Sequence, residues 1–231
     1  MLFAFPLRDD SPKRKPATVT YGIAFACLLV FVWQLGLGRR VIDADLVYGM
    51  VPAVLFGFAD LPVRVRAIPP ALTLVSSLFL HASWLHLAGN MLYLWLFGRG
   101  MEAALGPVRF LVFYIVCGIA AGLTQALIDP ASKIPMVGAS GAIAGLLGGY
   151  FVLFPRARIT LVIWVVFIVQ LVAVPAAALL ALWLLFQIVS TALTPAGTPG
   201  VAFGAHVGGF VAGAAMMVLF KPRSFRTKRA G

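Results

Sequence analysis

A handful of polar residues in this chain have the types and spacing that could do chemistry. His81, His86 and Asn90 share the run His81-Ala-Ser-Trp-Leu-His86-Leu-Ala-Gly-Asn90. Ser140 sits in Gly138-Ala-Ser140-Gly141, and His206 in Ala205-His206-Val-Gly-Gly209. These are the chain's 3 histidines, and all fall in apolar, glycine-dotted segments. Titratable groups are rare in such segments unless they act there. A serine hydroxyl is a poor nucleophile until a base within hydrogen-bond reach takes its proton, and histidine is the usual base near neutral pH. A serine at a helix start also has free backbone N–H groups and the positive dipole end beside it, which suits the oxyanion of acyl transfer. His86 and Asn90, at i and i+4, share one helix face, so both can donate to that oxyanion. His81 is placed at the loop-to-helix junction, as a loop-orienting residue. No Asp or Glu lies at this depth, so a Ser–His dyad is the fitting form.

The elements that must position these residues are membrane spans. Of 231 residues, 62% are apolar and 11% charged, against about 25% charged in ordinary globular domains. Mean hydropathy is +1.02. Runs of about 20 apolar residues predict spans at 18–38, 84–104, 107–128, 140–155, 173–193 and 204–220. Residues 1–17 then form a cytoplasmic tail, 18–220 one membrane domain with a first outer loop at 39–83, and 221–231 a basic cytoplasmic tail. The expectation is an all-α polytopic membrane protein with six transmembrane helices around a sunken Ser–His dyad. The stretch from Ile159 to Val174 is expected to be interfacial or re-entrant, anchored by Arg156 and Trp164.

Charge orients the chain. With both termini inside, 13 of the 18 basic residues face the cytoplasm, as the positive-inside rule requires. Anionic lipid explains the net charge of +11 without any nucleic acid. The expected location is the bacterial inner membrane. The basic residues 8–15 precede an apolar run too long for a signal-peptide core, so retention as a span is expected. Cys27 and Cys117 lack metal spacing and read as packing residues. Neither a metal site nor a cofactor is expected.

Two further regularities concern the site. Ser140 lies 16 residues before Arg156, His206 15 before Lys221, and His86 16 before Glu102. At the helical rise each interval spans about 22–24 Å, so all three groups reach one depth, several ångströms below the outer surface. Gly141, Gly145 and Gly149 recur every four residues, as do Ala205, Gly209 and Gly213. Such small-residue stripes allow close helix contact in lipid. If the two stripes face each other, Ser140 and His206 meet near the top of the contact.

The run Leu78-Phe-Leu-His81-Ala-Ser-Trp-Leu-His86-Leu-Ala-Gly-Asn90-Met91, followed by Gly138-Ala-Ser140-Gly141 and Ala205-His206-Val-Gly-Gly209, closely resembles the rhomboid intramembrane serine proteases. Glu102-Ala-Ala-Leu-Gly106 resembles theirs too, and the likeness covers roughly 70 to 220. It implies Ser140 as nucleophile, His206 as base, and an oxyanion hole of His86, Asn90 and the Ser140 backbone N–H. Glu102 and Gly106 are implied as structural residues. The family cleaves transmembrane segments of single-span proteins near their outer ends, without metal or organic cofactor. Its partners would be such substrates and membrane lipids; the oligomeric state stays open.

Two departures stand against the family pattern. The aromatic often found four residues after the serine is Ala144 here, leaving open what orients His206. Residues 39–80 contain no tryptophan, so the first loop must be held otherwise, with Tyr48, Phe56 and Phe58 as candidates. Taken singly, each site residue has a bland reading: Ser140 as a helix cap, a histidine as packing or proton relay, Asn90 as a helix bridge. A catalytically silent relative that binds transmembrane clients and a small transporter are the alternative functions.

Overall fold

The computed structural model describes residues 2–11, 16–165 and 168–220. Among the described residues the chain is mostly helical, with one small sheet. Strand β1 spans Leu2–Asp9 and helix α1 Thr18–Gly36. The buried side chains of α1 are Thr20, Ile23, Cys27, Phe31 and Gln34. Their three-and-four spacing is one helical stripe, and Tyr21, Phe25, Leu28, Leu29 and Val32 are exposed.

Three short helices follow, α2 (Val41–Tyr48), α3 (Pro52–Leu55) and α4 (Thr73–Ser76). Helix α5 spans Trp84–Tyr93, opened by Ser83, whose hydroxyl accepts from the His86 backbone N–H at 3.1 Å. A π-helical turn, Leu94–Gly98, leads into α6 (Arg99–Leu105). Gly106, at φ +79°, ends α6, and Pro107 opens α7 (Pro107–Ile128). That φ favours glycine. Helix α8 spans Ser140–Leu153, α9 Ala176–Leu193 and α10 Phe203–Leu219.

Among the described residues, α1, α7 and α9 are long and apolar enough to cross a membrane. A fourth candidate is the pair Pro70–Phe79 and Trp84–Leu105, bent by 83°. Helices α8 and α10 have 14 and 17 residues, about 21 and 26 Å against a core of about 30 Å. Residues 141–150 of α8 are all buried. Its surroundings are protein rather than lipid, so it is not held to the bilayer's thickness.

The sheet corrects the all-α expectation. Strands β2 (Arg158–Val165) and β3 (Ile168–Pro175) form an antiparallel hairpin, and β1 pairs with β2 to give the order β1-β2-β3. The stretch expected to be interfacial or re-entrant is therefore a β-hairpin. Ten of the eighteen residues from Arg158 to Pro175 are Val, Ile or Thr, which are stiff at χ1 and pack well on a pleated sheet. Pro6 is accommodated because β1 is an edge strand, with a register shift between Pro6 and Arg8. Of the segment expected to be a tail, residues 2–11 are thus part of the fold. Asp9 accepts from Tyr150 of α8 at 2.8 Å and from the Ser11 backbone N–H and hydroxyl. The basic tail 221–231, residues Lys13, Arg14 and Lys15, and the Trp164 side chain lie outside what is described.

The first loop is held by α1. The Gln34 amide donates to Asp45 Oδ1 at 3.0 Å and accepts from the His81 backbone N–H at 3.0 Å. Trp33 packs edge-on against Tyr48 at 5.7 Å. Phe56 and Phe58 pack on each other at 6.3 Å and are both exposed. Of the three aromatic candidates, Tyr48 makes the contact back to α1.

Candidate active site

Small residues bring α7, α8 and α10 together. A Cβ built on Gly209 or Gly213 would overlap the carbonyl oxygen of Gly141 or Gly145 respectively. On the other side, Gly141 and Gly145 lie against Ala121 and Cys117 of α7, so Cys117 fills a slot that only a glycine partner leaves open. Gly149 meets Met101, Phe113 and Met217 side chains instead. At such separations Cα–H···O contacts replace side-chain interdigitation.

At the top of this contact, His206 Nε2 lies 2.8 Å from Ser140 Oγ. Ser140 is the first residue of α8, so its backbone N–H has no acceptor within the helix. Just before it Gly138, at φ +126°, donates its N–H to the Ser77 carbonyl at 2.8 Å. That φ favours glycine, and a Cβ there would come within 2.6 Å of the His86 ring. Glycine at 138 is needed for the backbone and for the approach of His86.

The same observation orients His86. Its Nδ1 accepts from the Ala82 backbone N–H at 3.4 Å, so its proton sits on Nε2, the edge that faces Gly138. Asn90, one turn on, is 8% exposed, and its Nδ2 finds no partner among the described residues. Buried donors are almost always paired. Left unpaired in the same cavity as the Ser140 hydroxyl, this amide has hydrogen bonds to give. His86, Asn90, Ser140 and His206 line one cavity of about 750 Å³, with Ala144 and Trp183 also in its wall.

His81 is buried outside that wall. Its Nδ1 lies 3.2 Å from the Phe79 carbonyl, and its ring packs edge-on against His86 at 5.1 Å. Glu102, 3% exposed, accepts from the Val19 and Thr20 backbone N–H groups at 2.9 and 2.8 Å and from the Thr20 hydroxyl at 2.7 Å. It caps α1, far along the α5–α6 rod from His86. A carboxylate at a helix N-terminus satisfies orphan donors and meets the positive dipole end.

Sequence reasoning missed Gln187 and Trp183. Gln187 Oε1 lies 2.8 Å from His206 Nδ1, and the Trp183 ring lies 5.9 Å from the imidazole, tilted by 33°. Both come from α9. The available signal was an amide alone in a helix otherwise of apolar and hydroxyl residues, where polar groups pair across helices.

Residues 70–223 match the rhomboid domain as a family. The chain is 31% identical over 140 residues to RHOMBOID-like protein 5 of Arabidopsis thaliana, covering 61% of this chain and 41% of the relative. It is 39% identical over 77 residues to a putative rhomboid protease of Bacillus subtilis, YdcA (33% and 38% covered). It is 36% identical over 80 residues to Inactive rhomboid protein 1 of Drosophila melanogaster (35% and 6% covered). The matched segments span less than half of each of these relatives. The domain match takes in α5 through α10 and every residue that lines the Ser140–His206 contact, and by it this membrane protein belongs to the rhomboid family.

Proposed function

We propose that this chain is an intramembrane serine endopeptidase that cleaves transmembrane segments of single-span proteins near their outer ends. The observation that carries the reading is the 2.8 Å approach of Ser140 Oγ to His206 Nε2 in the wall of a cavity large enough for a peptide segment. Ser140 attacks the scissile carbonyl carbon while its proton passes to His206 Nε2. The oxyanion so formed accepts from Asn90 Nδ2, His86 Nε2–H and the Ser140 backbone N–H. On collapse the C–N bond breaks, and His206 gives its proton to the leaving amine. A water, deprotonated by His206, then hydrolyses the acyl-serine and restores both residues.

The topology that serves this chemistry has six spans: α1, the α5–α6 rod, α7, α8, α9 and α10. Both termini are cytoplasmic in a bacterial inner membrane. The short α8 sets the nucleophile below the outer surface, where an unwound transmembrane segment can reach it. Lipids and single-span substrates are the partners. One relative's name marks it inactive, which keeps a client-binding reading in view. The presence here of both nucleophile and base favours the peptidase.

The test is cleavage of an array of single-span substrates by purified protein, with Ser140→Ala and His206→Ala alongside. Both variants are expected to fold and to lose cleavage, and a fluorophosphonate is expected to label Ser140. Undiminished cleavage by Ser140→Ala would sink the reading.

A further inference from the structure

We propose that Gln187 is a positioning residue for His206, completing a Ser140–His206–Gln187 array, with Trp183 as the cover of the imidazole. The inference rests on the peptidase reading and adds to it the device that orients the base. The Gln187 amide oxygen lies 2.8 Å from His206 Nδ1, and Gln187 is 4% exposed. An amide oxygen only accepts, so the imidazole proton is held on Nδ1. The lone pair of Nε2 is thereby turned toward the Ser140 hydroxyl, 2.8 Å away. Trp183 is one turn before Gln187 on the same helix face. It packs on the His206 ring and, at 6.2 Å, on Phe210 one turn beyond His206. The ring is thus fixed by a hydrogen bond in its plane and by an aromatic on its face, both supplied by α9.

Two features of this chain fit that solution. Position 144, from which an aromatic on α8 would reach the imidazole, is an alanine, and the cover comes from another helix. The third member is neutral. A carboxylate at this depth would have to be desolvated, whereas an amide accepts the same Nδ1 proton uncharged. When His206 takes the serine proton, the amide oxygen stays aligned with the imidazolium. No atom of Gln187 reacts.

The experiment compares Gln187→Leu and Gln187→Glu with the intact chain in proteoliposomes. Gln187→Leu keeps the shape and removes the acceptor. Its kcat is expected to fall about 10- to 100-fold, at or below the lower end of a general base's contribution because the base itself stays in place, with KM within about twofold, because substrate does not touch Gln187. Fluorophosphonate labelling of Ser140 should slow in parallel. Gln187→Glu, held neutral by its burial, keeps a carbonyl acceptor for Nδ1 and is expected to recover kcat to within about fivefold. Ring ¹⁵N shifts of His206 are expected to show the proton on Nδ1 in the unaltered protein and a tautomer mixture in Gln187→Leu. Full kcat in Gln187→Leu, equal losses in both variants, or a tautomer unchanged by Gln187→Leu would overturn the assignment. Absence of cleavage and of Ser140 labelling in the unaltered protein would instead overturn the peptidase reading.

Discussion

Replacing Gly209 by alanine tests whether the glycine contact between α8 and α10 sets the catalytic distance. A Cβ there overlaps the Gly141 carbonyl oxygen, which is backbone and has no rotamer to escape into. Carbon and carbonyl oxygen rest about 3.3–3.6 Å apart, so the two helices must part by about 1 Å. Gly209 is three residues from His206 and Gly141 adjoins Ser140, so most of that separation reaches the 2.8 Å Oγ–Nε2 contact. The contact would open to about 3.5 Å or more, beyond a useful hydrogen bond. Misplacement on this scale costs about 10²-fold in rate. The assay is kcat on a single-span substrate in proteoliposomes, with thermal unfolding recorded on the same samples. Gly22→Ala is the control, because a Cβ on that glycine meets nothing within 4 Å. It should leave kcat unchanged and add helix propensity. If Gly209→Ala kept kcat within twofold, the glycine stripe would not be what holds Ser140 and His206 together.

Three further outcomes are expected. Asn90→Ala should lower kcat about 10²-fold with little change in KM, since an oxyanion donor acts in the transition state; loss of binding with normal kcat would assign Asn90 to substrate recognition. Glu102→Ala removes the cap of α1 and strands buried donors, costing about 3 kcal/mol, or about 6–12 °C in Tm for a chain of this size; a Tm shift below about 2 °C would show that water caps α1 as well. Burial pushes the Asp45 carboxyl above its usual range, against the Gln34 hydrogen bond. A raised acid pKa means the folded state holds its proton longer, so this contribution to stability is present below the unfolded pKa and lost as pH rises through the folded one. Asp45→Asn keeps an acceptor for Gln34 and should flatten that fall and raise stability at neutral pH, as read from unfolding between pH 4 and 7.

Much of the site could be read from residue types because its members carry their chemistry with them. Ser140, His206, His86 and Asn90 are polar groups in apolar surroundings, and the cost of placing them there marks them whatever the fold. The glycines at intervals of four are legible for a related reason, since their spacing is the helix's own period. Gly149 shows the limit: it shares the period with Gly141 and Gly145, yet it faces side chains of α6, α7 and α10 rather than the α10 backbone.

What tertiary structure decided are pairings between segments far apart in the chain. An apolar run from 157 to 174 has the same hydrophobicity as helix or as sheet, and its β form joins a local β2–β3 hairpin to the docking of Leu2–Asp9 on β2, more than 140 residues away. Glu102 becomes a cap only because α1 starts beside it. Gln187 lies 19 residues from His206 on another helix, and no spacing rule links them. The sequence alone marked the polar groups set into apolar helices and how far along those helices they lie, because residue chemistry and helical rise are local. Only the packed helices decided which neighbour each group meets, because a hydrogen bond depends on where two separate backbones come to rest.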